Sequence, residues 1–329
     1  MSKSTRILGA TLVAAALTVS LSACGGDSLE KSKDGGSSSS SSSSGGGAKG
    51  RLVVGAAGFT ESNVLAELYA RLLADAGYDT SVTTVNNREL YEPSLEKGEI
   101  DVVPEYAATL AEFLNAKVNG PNAPKEKPVA SSDPAATAAA LEKLAAPLGI
   151  KALPLGAAVD QNAFAVTREF AQKNNLRTLS DLGKSGQKVK IAAGDECAVR
   201  PFCAPGLEKT YGIQVSGIDP KGVGTPQAKQ AVKDGVDQLV LTTTTDATLD
   251  GFGLVLLEDD KKLQNADNVL PVVNAKDAGA PEIGAALERL TKVLTTADLV
   301  ELNRKVDAER AKPADVAKAY LESKGLLKK

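Results

Sequence analysis

Short apolar runs alternate with amphipathic stretches between residues 52 and 109, and this alternation constrains the fold more than any other feature of the chain. The apolar run 52–55 leads into a long segment, 60–77, whose apolar residues recur at helical spacing. Further strand-like runs follow at 80–85 and 100–103, the second being the short, wholly apolar kind found in buried parallel sheets. The alternation predicts an α/β domain, with a ligand site where the strands end and the helices begin.

Local signals place individual residues at this predicted edge. We expect Thr60 to be the N-cap of the first helix and Gly77 to end it. Tyr106 follows a buried-type strand and a Pro-Glu pair, so its ring is expected at the same edge of the sheet. Helix N-termini at such an edge offer free N–H groups to an anionic group. This region is therefore predicted to be a binding cleft.

The alternation continues to the C-terminus without any internal repeat. Further strands are predicted at 163–166, 189–193, 238–242, 254–257 and 269–273, and helices at 135–148, 281–294, 297–307 and 313–324. Proline begins two of the last three helices, its favoured place at the first helical turn.

The residue types exclude several classes of function. The chain contains no histidine, which removes the commonest general base, the commonest zinc ligand and every nucleophile that works with a histidine. A formal net charge of −3 is unsuited to nucleic acid, whose phosphates need a basic face. Phosphate-loop, dinucleotide and nucleophile-elbow motifs are also missing from the sequence. We therefore expect neither an enzyme nor a nucleic-acid partner, and neither a cofactor nor a metal site.

The N-terminus has the pattern of a bacterial lipoprotein export signal. Lys3 and Arg6 precede an apolar segment, 7–21, that is too short to span a membrane in the mature protein. A Leu-Ser-Ala-Cys sequence ends at Cys24, which predicts a signal peptide of residues 1–23 and a diacylated Cys24 as the new N-terminus. An ordinary signal peptide with an incidental cysteine is the alternative.

Residues 24–50 are predicted to form a tether. The serine run 37–44 is flanked by glycines and contains nothing apolar to bury. A Gly/Ser coil of this length reaches about 25–30 Å. The protein is thus expected to be exported and held by its lipid at the outer face of the cell membrane.

Six motifs, taken in order, resemble one family of transport proteins. They are Gly-Phe-Thr-Glu at 58–61, Gly-Glu-Ile-Asp at 98–101, Pro-Glu-Tyr at 104–106, Leu-Ser-Asp-Leu at 179–182, Gly-Leu-Glu-Lys-Thr-Tyr-Gly at 206–212 and Leu-Leu-Glu-Asp-Asp at 256–260. Their order and spacing resemble the substrate-binding proteins of osmoprotectant ABC importers, which take up glycine betaine, choline, carnitine and related quaternary amines. The resemblance covers residues 52–327.

The resemblance implies a two-lobed periplasmic-binding-protein fold of type II, the Venus-flytrap kind, with two segments crossing between the lobes. By analogy, lobe 1 comprises residues 51–158 plus 264–329, and lobe 2 comprises residues 159–263. It also implies a monomer that captures a small polar or zwitterionic solute between the lobes and delivers it to an ABC permease. The alternative is the same fold with a non-osmolyte ligand, such as an amino-acid derivative or an aromatic compound.

That alternative arises because the aromatic cage typical of the family is incomplete. A quaternary ammonium has no N–H to donate, so it is held against aromatic faces, at about 0.5–2 kcal/mol per ring. The resemblance assigns Tyr106 to such a cage and makes Tyr91 a second candidate. A helix-capping hydroxyl is the alternative for Tyr106, and packing beneath its helix is the alternative for Tyr91. Family members often carry aromatics where this chain has Asn162, Val272 and Thr243.

Polar residues are expected to replace the missing aromatics. Arg88 or Arg200 could clamp a carboxylate through two N–H bonds, and Asp246 could meet a cationic amine. The residues expected to converge on the cleft are Phe59, Thr60, Asn87, Arg88, Asn162, Arg200, Thr244, Thr245 and Asp246, and each polar one has a solvated or capping role as its alternative.

Cys197 and Cys203 are expected to form a disulfide. The exported context favours oxidation, and a metal site would need further cysteine or histidine ligands that the chain lacks. The bond would fix Arg200 and Phe202 in a short loop that could face the cleft.

Overall fold

The computed structural model describes residues 49–328. The predicted signal peptide of residues 1–23, the lipidated Cys24 and nearly all of the tether lie outside the described residues, so these three features stay predictions. Within residues 49–328, no helix is long and apolar enough to cross a membrane.

Ten strands and twelve α-helices alternate along these residues. The strands are β1 Arg51–Ala56, β2 Asp79–Thr84, β3 Val102–Tyr106, β4 Ile150–Ala152, β5 Asn162–Thr167, β6 Lys188–Ala193, β7 Gln214–Pro220, β8 Leu239–Thr243, β9 Leu254–Leu257 and β10 Val269–Asn274. The helices are α1 Thr60–Asp75, α2 Arg88–Lys97, α3 Ala107–Asn119, α4 Ala123–Glu126, α5 Pro134–Ala145, α6 Arg168–Asn174, α7 Leu179–Lys184, α8 Ala204–Gly206, α9 Pro226–Lys233, α10 Pro281–Thr291, α11 Thr296–Asp307 and α12 Pro313–Ser323.

The first sheet has the order β2-β1-β3-β10-β4. Strands β1, β2 and β3 are parallel, and β10 returns antiparallel between β3 and β4. All five residues of β3 are buried, because helices cover both faces of the sheet. Helices α1, α10, α11 and α12 pack with Val102 on one face, and α2, α3 and α5 pack with Val103 on the other.

The second sheet has the order β7-β6-β8-β5-β9. Strands β6, β7 and β8 are parallel, and β5 is antiparallel to both β8 and β9. Helix α7 covers one face around Phe164 and Ile191, and α9 covers the other around Val240. The two sheets confirm the predicted two-lobed α/β fold, while the exact lobe limits stay a prediction.

Two chain segments cross between the sheets side by side. Val159, which precedes β5, pairs antiparallel with Asn268, which precedes β10. The neighbouring Asp160 N–H donates to the Asp267 carbonyl at 3.1 Å. The crossing segments therefore place Asp160 and Asp267 together, between the two lobes.

Most strand predictions are confirmed within two or three residues, but the start of the first helix was predicted wrongly. Phe59, whose backbone is extended, is the N-cap of α1, and the hydroxyl of Thr60, the first helical residue, donates to Asp307 Oδ1 at 2.6 Å. Strands β4 and β7 were not predicted. β4 has only three residues, and β7 contains Gly217, Asp219 and Pro220, which are depleted in strands.

The disulfide is present, since Cys197 and Cys203 are bonded and both are buried. The closed loop is short, so the chain-entropy model assigns it about 2 kcal/mol of stability. We expect the double variant Cys197→Ser/Cys203→Ser to lose about this free energy of unfolding in urea. Dithiothreitol should lower the stability of the parent protein by a similar amount and leave the variant unchanged. Equal stability of variant and parent would mean that the bond constrains nothing.

Candidate functional site

Three cavities adjoin the crossing segments and the end of β3. We name them by the nearest helix. The α3 cavity, of about 420 Å³, is lined by Tyr106, Ala108, Thr109, Glu112, Asp160, Gln161, Asn162, Phe202, Thr243, Gln264, Asn265 and Asp267. The α11 cavity, of about 510 Å³, is lined by residues that include Phe59, Thr60, Glu61, Asp160, Lys229, Thr245, Asp246, Phe252, Asn303 and Asp307. The α2 cavity, of about 320 Å³, is lined by residues that include Phe59, Asn87, Arg88, Tyr91, Tyr106 and Thr109.

Tyr106 joins two of these cavities. It is the last residue of β3 and the N-cap of α3, so the turn from strand to helix carries its ring to the predicted edge of the sheet. Its hydroxyl donates to Glu61 Oε1 at 2.8 Å, not to a helix end. Its ring stacks on that of Phe59, with the centroids 6.3 Å apart and the planes 29° apart. Phe59 is 46% exposed and Tyr106 is 8% exposed, so most of the accessible surface of the aromatic pair belongs to Phe59.

A third aromatic residue, Phe202, lines the α3 cavity from the second lobe. It belongs to the disulfide loop between Cys197 and Cys203, and the Gln264 amide donates to its carbonyl at 2.9 Å. The prediction that this loop could face the cleft is confirmed for Phe202. Aromatic faces thus border the α3 cavity from both lobes.

Acidic residues dominate the charge of the α3 cavity. Asp267 Oδ1 accepts the Ala108 N–H at 2.8 Å and the Thr109 N–H at 3.1 Å, at the N-terminus of α3. Burial nevertheless raises the pKa of Asp267 to about 7. Burial also raises the pKa of Asp160. Because Glu112 lines the same cavity and no described residue of the lining is basic, the cavity favours a cationic group.

Glu61 lines the α11 cavity and also binds the Tyr106 hydroxyl. Besides the Tyr106 hydroxyl, its carboxylate accepts the Asn303 Nδ2–H at 2.7 Å. Burial, followed by the nearby negative charge of Asp160, raises the pKa of Glu61. Glu61 was part of the Gly-Phe-Thr-Glu motif, but its role was not predicted from the sequence.

Arg88 and Tyr91 both bind Glu105 beneath the α2 cavity. The guanidinium Nε and Nη2 donate to the two oxygens of Glu105 at 2.8 and 2.6 Å, and Nη2 also donates to Thr109 Oγ1 at 3.0 Å. The Tyr91 hydroxyl donates to the same carboxylate. Glu105 is only 1% exposed, and the Arg88 side chain is 20% exposed, so a half-buried guanidinium and the Tyr91 hydroxyl compensate a buried charge.

The structure brings most of the predicted site residues to the cavities. Tyr106 and Asn162 line the α3 cavity, Arg88 and Tyr91 with Asn87 line the α2 cavity, Thr60, Thr245 and Asp246 line the α11 cavity, and Phe59 lines the last two. Among the described residues, Thr244 and Arg200 line none of the three. Thr244 instead binds the first crossing segment, since its hydroxyl accepts the Gln161 N–H and donates to the Val159 carbonyl.

Asp246 is already paired within the protein. Its Oδ2 lies 2.8 Å from Lys229 Nζ, and it also accepts the hydroxyls of Thr242 and Thr248. Both members of this ion pair are largely buried. The charge of Asp246 is therefore already compensated within the protein.

Sequence reasoning missed several lining residues. Asp160 and Gln161 stood beside Asn162 at the start of a predicted strand, a position that could have indicated them. Thr109, Glu112 and Asp267 carry no local signal, because the crossing segments and the α3 turn bring them together only in the folded chain. Within residues 49–328, no group of three Cys, Asp or Glu residues is placed to hold a metal ion.

Comparison with known proteins identifies the class to which this fold and cleft belong. Residues 50–323 match the family described as the substrate binding domain of ABC-type glycine betaine transport systems. The chain therefore belongs to this family of transport substrate-binding proteins and is not an enzyme, as predicted.

Individual relatives agree with this assignment. The chain is 27% identical over 289 residues to a glycine-betaine-binding protein of Pseudomonas aeruginosa, covering 84% of this chain and 88% of the relative. It is 24% identical over 291 residues to the carnitine transport binding protein OpuCC of Listeria monocytogenes, covering 84% and 87%. Among solved structures, apo YehZ of Escherichia coli has a TM-score of 0.71 at 24% identity, covering 84% of this chain and 99% of that one. This last likeness concerns the fold.

Proposed function

We propose that this protein is the lipid-anchored, extracytoplasmic receptor of an ABC importer, and that it captures a small quaternary amine or zwitterionic osmoprotectant between its two lobes. The observation that carries the ligand assignment is the α3 cavity, where Tyr106 and Phe202 face a cavity lined by carboxylates and by no basic residue of the described chain. Family membership supports the transport role, and the lipoprotein signal supports anchoring through Cys24.

The cationic head of the ligand would lie against Tyr106. A trimethylammonium group has no N–H, so it gains from aromatic faces and from nearby negative charge. Asp160 and Asp267 supply that charge without a basic neighbour in the cavity lining. Two partial aromatic walls and two carboxylates thus replace the fuller aromatic cage.

The carboxylate of a zwitterion would reach Arg88. Tyr106 and Thr109 line both the α3 and the α2 cavities, so one small molecule in contact with them could extend from the acidic lining toward the guanidinium. Within the described residues, the Arg88 hydrogen bonds use Nε and Nη2, which leaves the N–H groups of Nη1 for a ligand. Glycine betaine and carnitine would contact both the acidic lining and Arg88. Choline has no carboxylate, so it would contact only the acidic lining.

Capture would bring the lobes together. Tyr106 belongs to the first sheet, and Phe202 and Asn162 belong to the second lobe, so a ligand that touches all three stabilises the closed arrangement. The closed protein would then dock on the permease as a monomer and release the solute.

Thermal-shift screening of the full-length protein in mild detergent tests the ligand class. The panel contains glycine betaine, choline, carnitine, proline betaine, ergothioneine and ordinary amino acids. A ligand at one hundred times its Kd stabilises the folded state by about 2.7 kcal/mol, so quaternary amines should raise Tm by several degrees. A shift with another compound and none with any quaternary amine would leave the transport role but overturn the osmoprotectant assignment.

Affinity for choline should depend on pH because Asp267 has a pKa of about 7. A cation favours the ionised carboxylate, so binding should strengthen as pH rises through 7 and weaken below it. Protonation of this one carboxylate should weaken choline binding up to about tenfold between pH 8 and pH 6. Titration calorimetry at these two pH values measures the change.

The matched control is Asp267→Asn. Its side-chain oxygen would keep the Ala108 and Thr109 hydrogen bonds and remove the titrating charge, so its affinity should be weak and flat with pH. An unaltered pH profile in this variant would assign the dependence to another group.

A further inference from the structure

The outermost strand of the first sheet, β2, is hydrogen-bonded to a neighbouring strand on one side only within the described residues. That neighbour is β1, which pairs with all six residues of β2. Strand β3 lies two strands away and β10 lies three strands away, so the free edge of β2 is distant from the crossing segments. Such an edge carries unpaired N–H and C=O groups and can pair with another strand.

The three other sheet edges have features that discourage pairing. Strand β4 has only three residues and β9 only four. Strand β7 contains Gly217, Asp219 and Pro220, and its register with β6 is irregular after Val189. Short length, charge, proline and irregular register are the usual protections of an edge. Strand β2 has no proline and no glycine, and its only charged residue, Asp79, is its first.

Alternate residues of β2 direct their backbone groups to the free edge. The N–H groups of Asp79 and Val85 both donate toward the chain of β1, at 2.9 and 2.8 Å. Because successive N–H groups of a strand point to opposite sides, the odd-numbered residues between them also face β1. The N–H and C=O groups of Thr80, Val82 and Thr84 therefore point outward.

The outward residues are complementary to themselves in an antiparallel pair. When a two-fold axis passes beside Val82, this residue lies opposite its own copy, and Thr80 lies opposite Thr84 of the second copy. Each outward residue then exchanges both of its backbone hydrogen bonds with the residue opposite. Opposed threonines are a favourable cross-strand pair. The same register places Asp79 opposite Val85, so like charges do not meet along the strands.

Helix α1 extends this surface on one face of the sheet. The Thr80 hydroxyl donates to an α1 carbonyl at 3.2 Å, and the Thr84 hydroxyl donates to Asn63 Oδ1 at 2.7 Å, so α1 lies along β2. From there a partly exposed stripe follows the helix, comprising Asn63, Glu67, Arg71 and Ala74. Two stripes related by the axis run in opposite directions, which brings Glu67 near Arg71 of the second copy.

We propose that the β2 edge and the α1 stripe form a self-association surface, through which two copies of this protein pair antiparallel, β2 to β2. Both copies contribute the same residues, as a two-fold interface requires. The pairing uses neither the cleft nor the permease, so it does not depend on the proposed ligand, and the monomer is still the form that docks. The surface is smaller than a standard interface of about 20–30 residues a side, so the pair should be weak and reversible.

Sedimentation equilibrium of the full-length protein in density-matched detergent tests the pairing. Between micromolar and millimolar protein, the mean mass should rise from that of one chain toward that of two, with or without choline. The mass of one chain at every concentration would overturn the proposal. Growth beyond two chains would also overturn it, because a two-fold pair uses the edge of both copies.

Val82→Cys tests the position of the axis. In the proposed register the two substituted residues are directly opposed, with Cα atoms about 5.5 Å apart, a separation that a disulfide can bridge. Mild oxidation should therefore yield a covalent dimer on a non-reducing gel. The matched control is Thr80→Cys, whose two copies lie about 14 Å apart along the strands and should stay unlinked, as should the parent. Equal linking of both variants, or no linking of Val82→Cys, would contradict the register.

Charge variants on α1 test the surface without altering β2. Glu67→Arg should weaken pairing at least about fivefold, because the charged groups beside the axis all become positive. The double variant Glu67→Arg/Arg71→Glu restores opposite charges and should recover the pairing. Neither residue lines the three cavities, so choline affinity should match the parent in both. Unchanged pairing in Glu67→Arg, or no recovery in the double variant, would contradict the proposed surface.

Discussion

Tyr106→Ala should lower the affinity for choline and glycine betaine at least about thirtyfold. Tyr106 is the aromatic residue that lines the α3 cavity from the first lobe among the described residues, and a cation–π contact in a desolvated site contributes about 2 kcal/mol. The variant also removes the stacking partner of Phe59, 6.3 Å away. Titration calorimetry on the full-length protein measures the loss.

Tyr106→Phe is the matched control for the ring. It keeps the aromatic face and removes only the hydroxyl that donates to Glu61 at 2.8 Å. Glu61 keeps its bond from Asn303, so we expect choline affinity within about threefold of the parent, as for one modest hydrogen bond. If Tyr106→Phe lowers choline affinity as much as Tyr106→Ala does, binding requires the hydroxyl and not the ring.

A neutral analogue separates the charge from the shape of the ligand. In the carbon isostere of choline, a tert-butyl group replaces the trimethylammonium, so the size is kept and the cation is lost. The α3 cavity should bind it much more weakly, because Asp160 and Asp267 give a neutral group no attraction. Equal affinity for the two compounds would mean that the cavity selects by shape alone.

The strand-helix alternation was sufficient to predict the α/β class and the position of Tyr106, whereas the two-lobed arrangement was implied by the family resemblance. Strand β3 is wholly buried, and the apolar run 100–103 from which it was predicted is typical of a buried parallel strand. Tyr106 ends this strand, so it lies at the edge of the sheet for geometric reasons. The same local logic placed Phe202 beside the cleft, because a disulfide closes its loop.

Contacts between distant segments could not be predicted in this way. Asp267 meets Ala108 and Thr109 across more than 150 residues of sequence, because β10 returns to the first sheet beside β3. Arg88 was considered as a ligand clamp, but which carboxylate it meets depends on the packing of α2 over β3. The residue types showed that Asp267 and Arg88 carry charges, but only the folded chain shows which groups those charges meet.

Arg88→Met should destabilise the protein by about 3 kcal/mol in urea unfolding. Glu105 is 1% exposed and depends on the guanidinium for two of its hydrogen bonds. Removal of one member of a buried ion pair leaves an uncompensated charge. The cost of that charge exceeds the net stability that the intact pair contributed. The same substitution at Arg304, whose partners Glu301 and Glu309 are exposed, should leave the unfolding midpoint near that of the parent.

The double variant Arg88→Met/Glu105→Gln separates this charge from the loss of packing. The substituted glutamine has no charge to bury, and its oxygen can still accept the Tyr91 hydroxyl, so we expect at least about half of the lost stability to return. No recovery would mean that the Arg88 side chain stabilises α2 by packing alone. The recovered protein also tests the ligand role of Arg88: if its Nη1 binds a carboxylate, glycine betaine should bind more weakly than in the parent while choline affinity is largely kept.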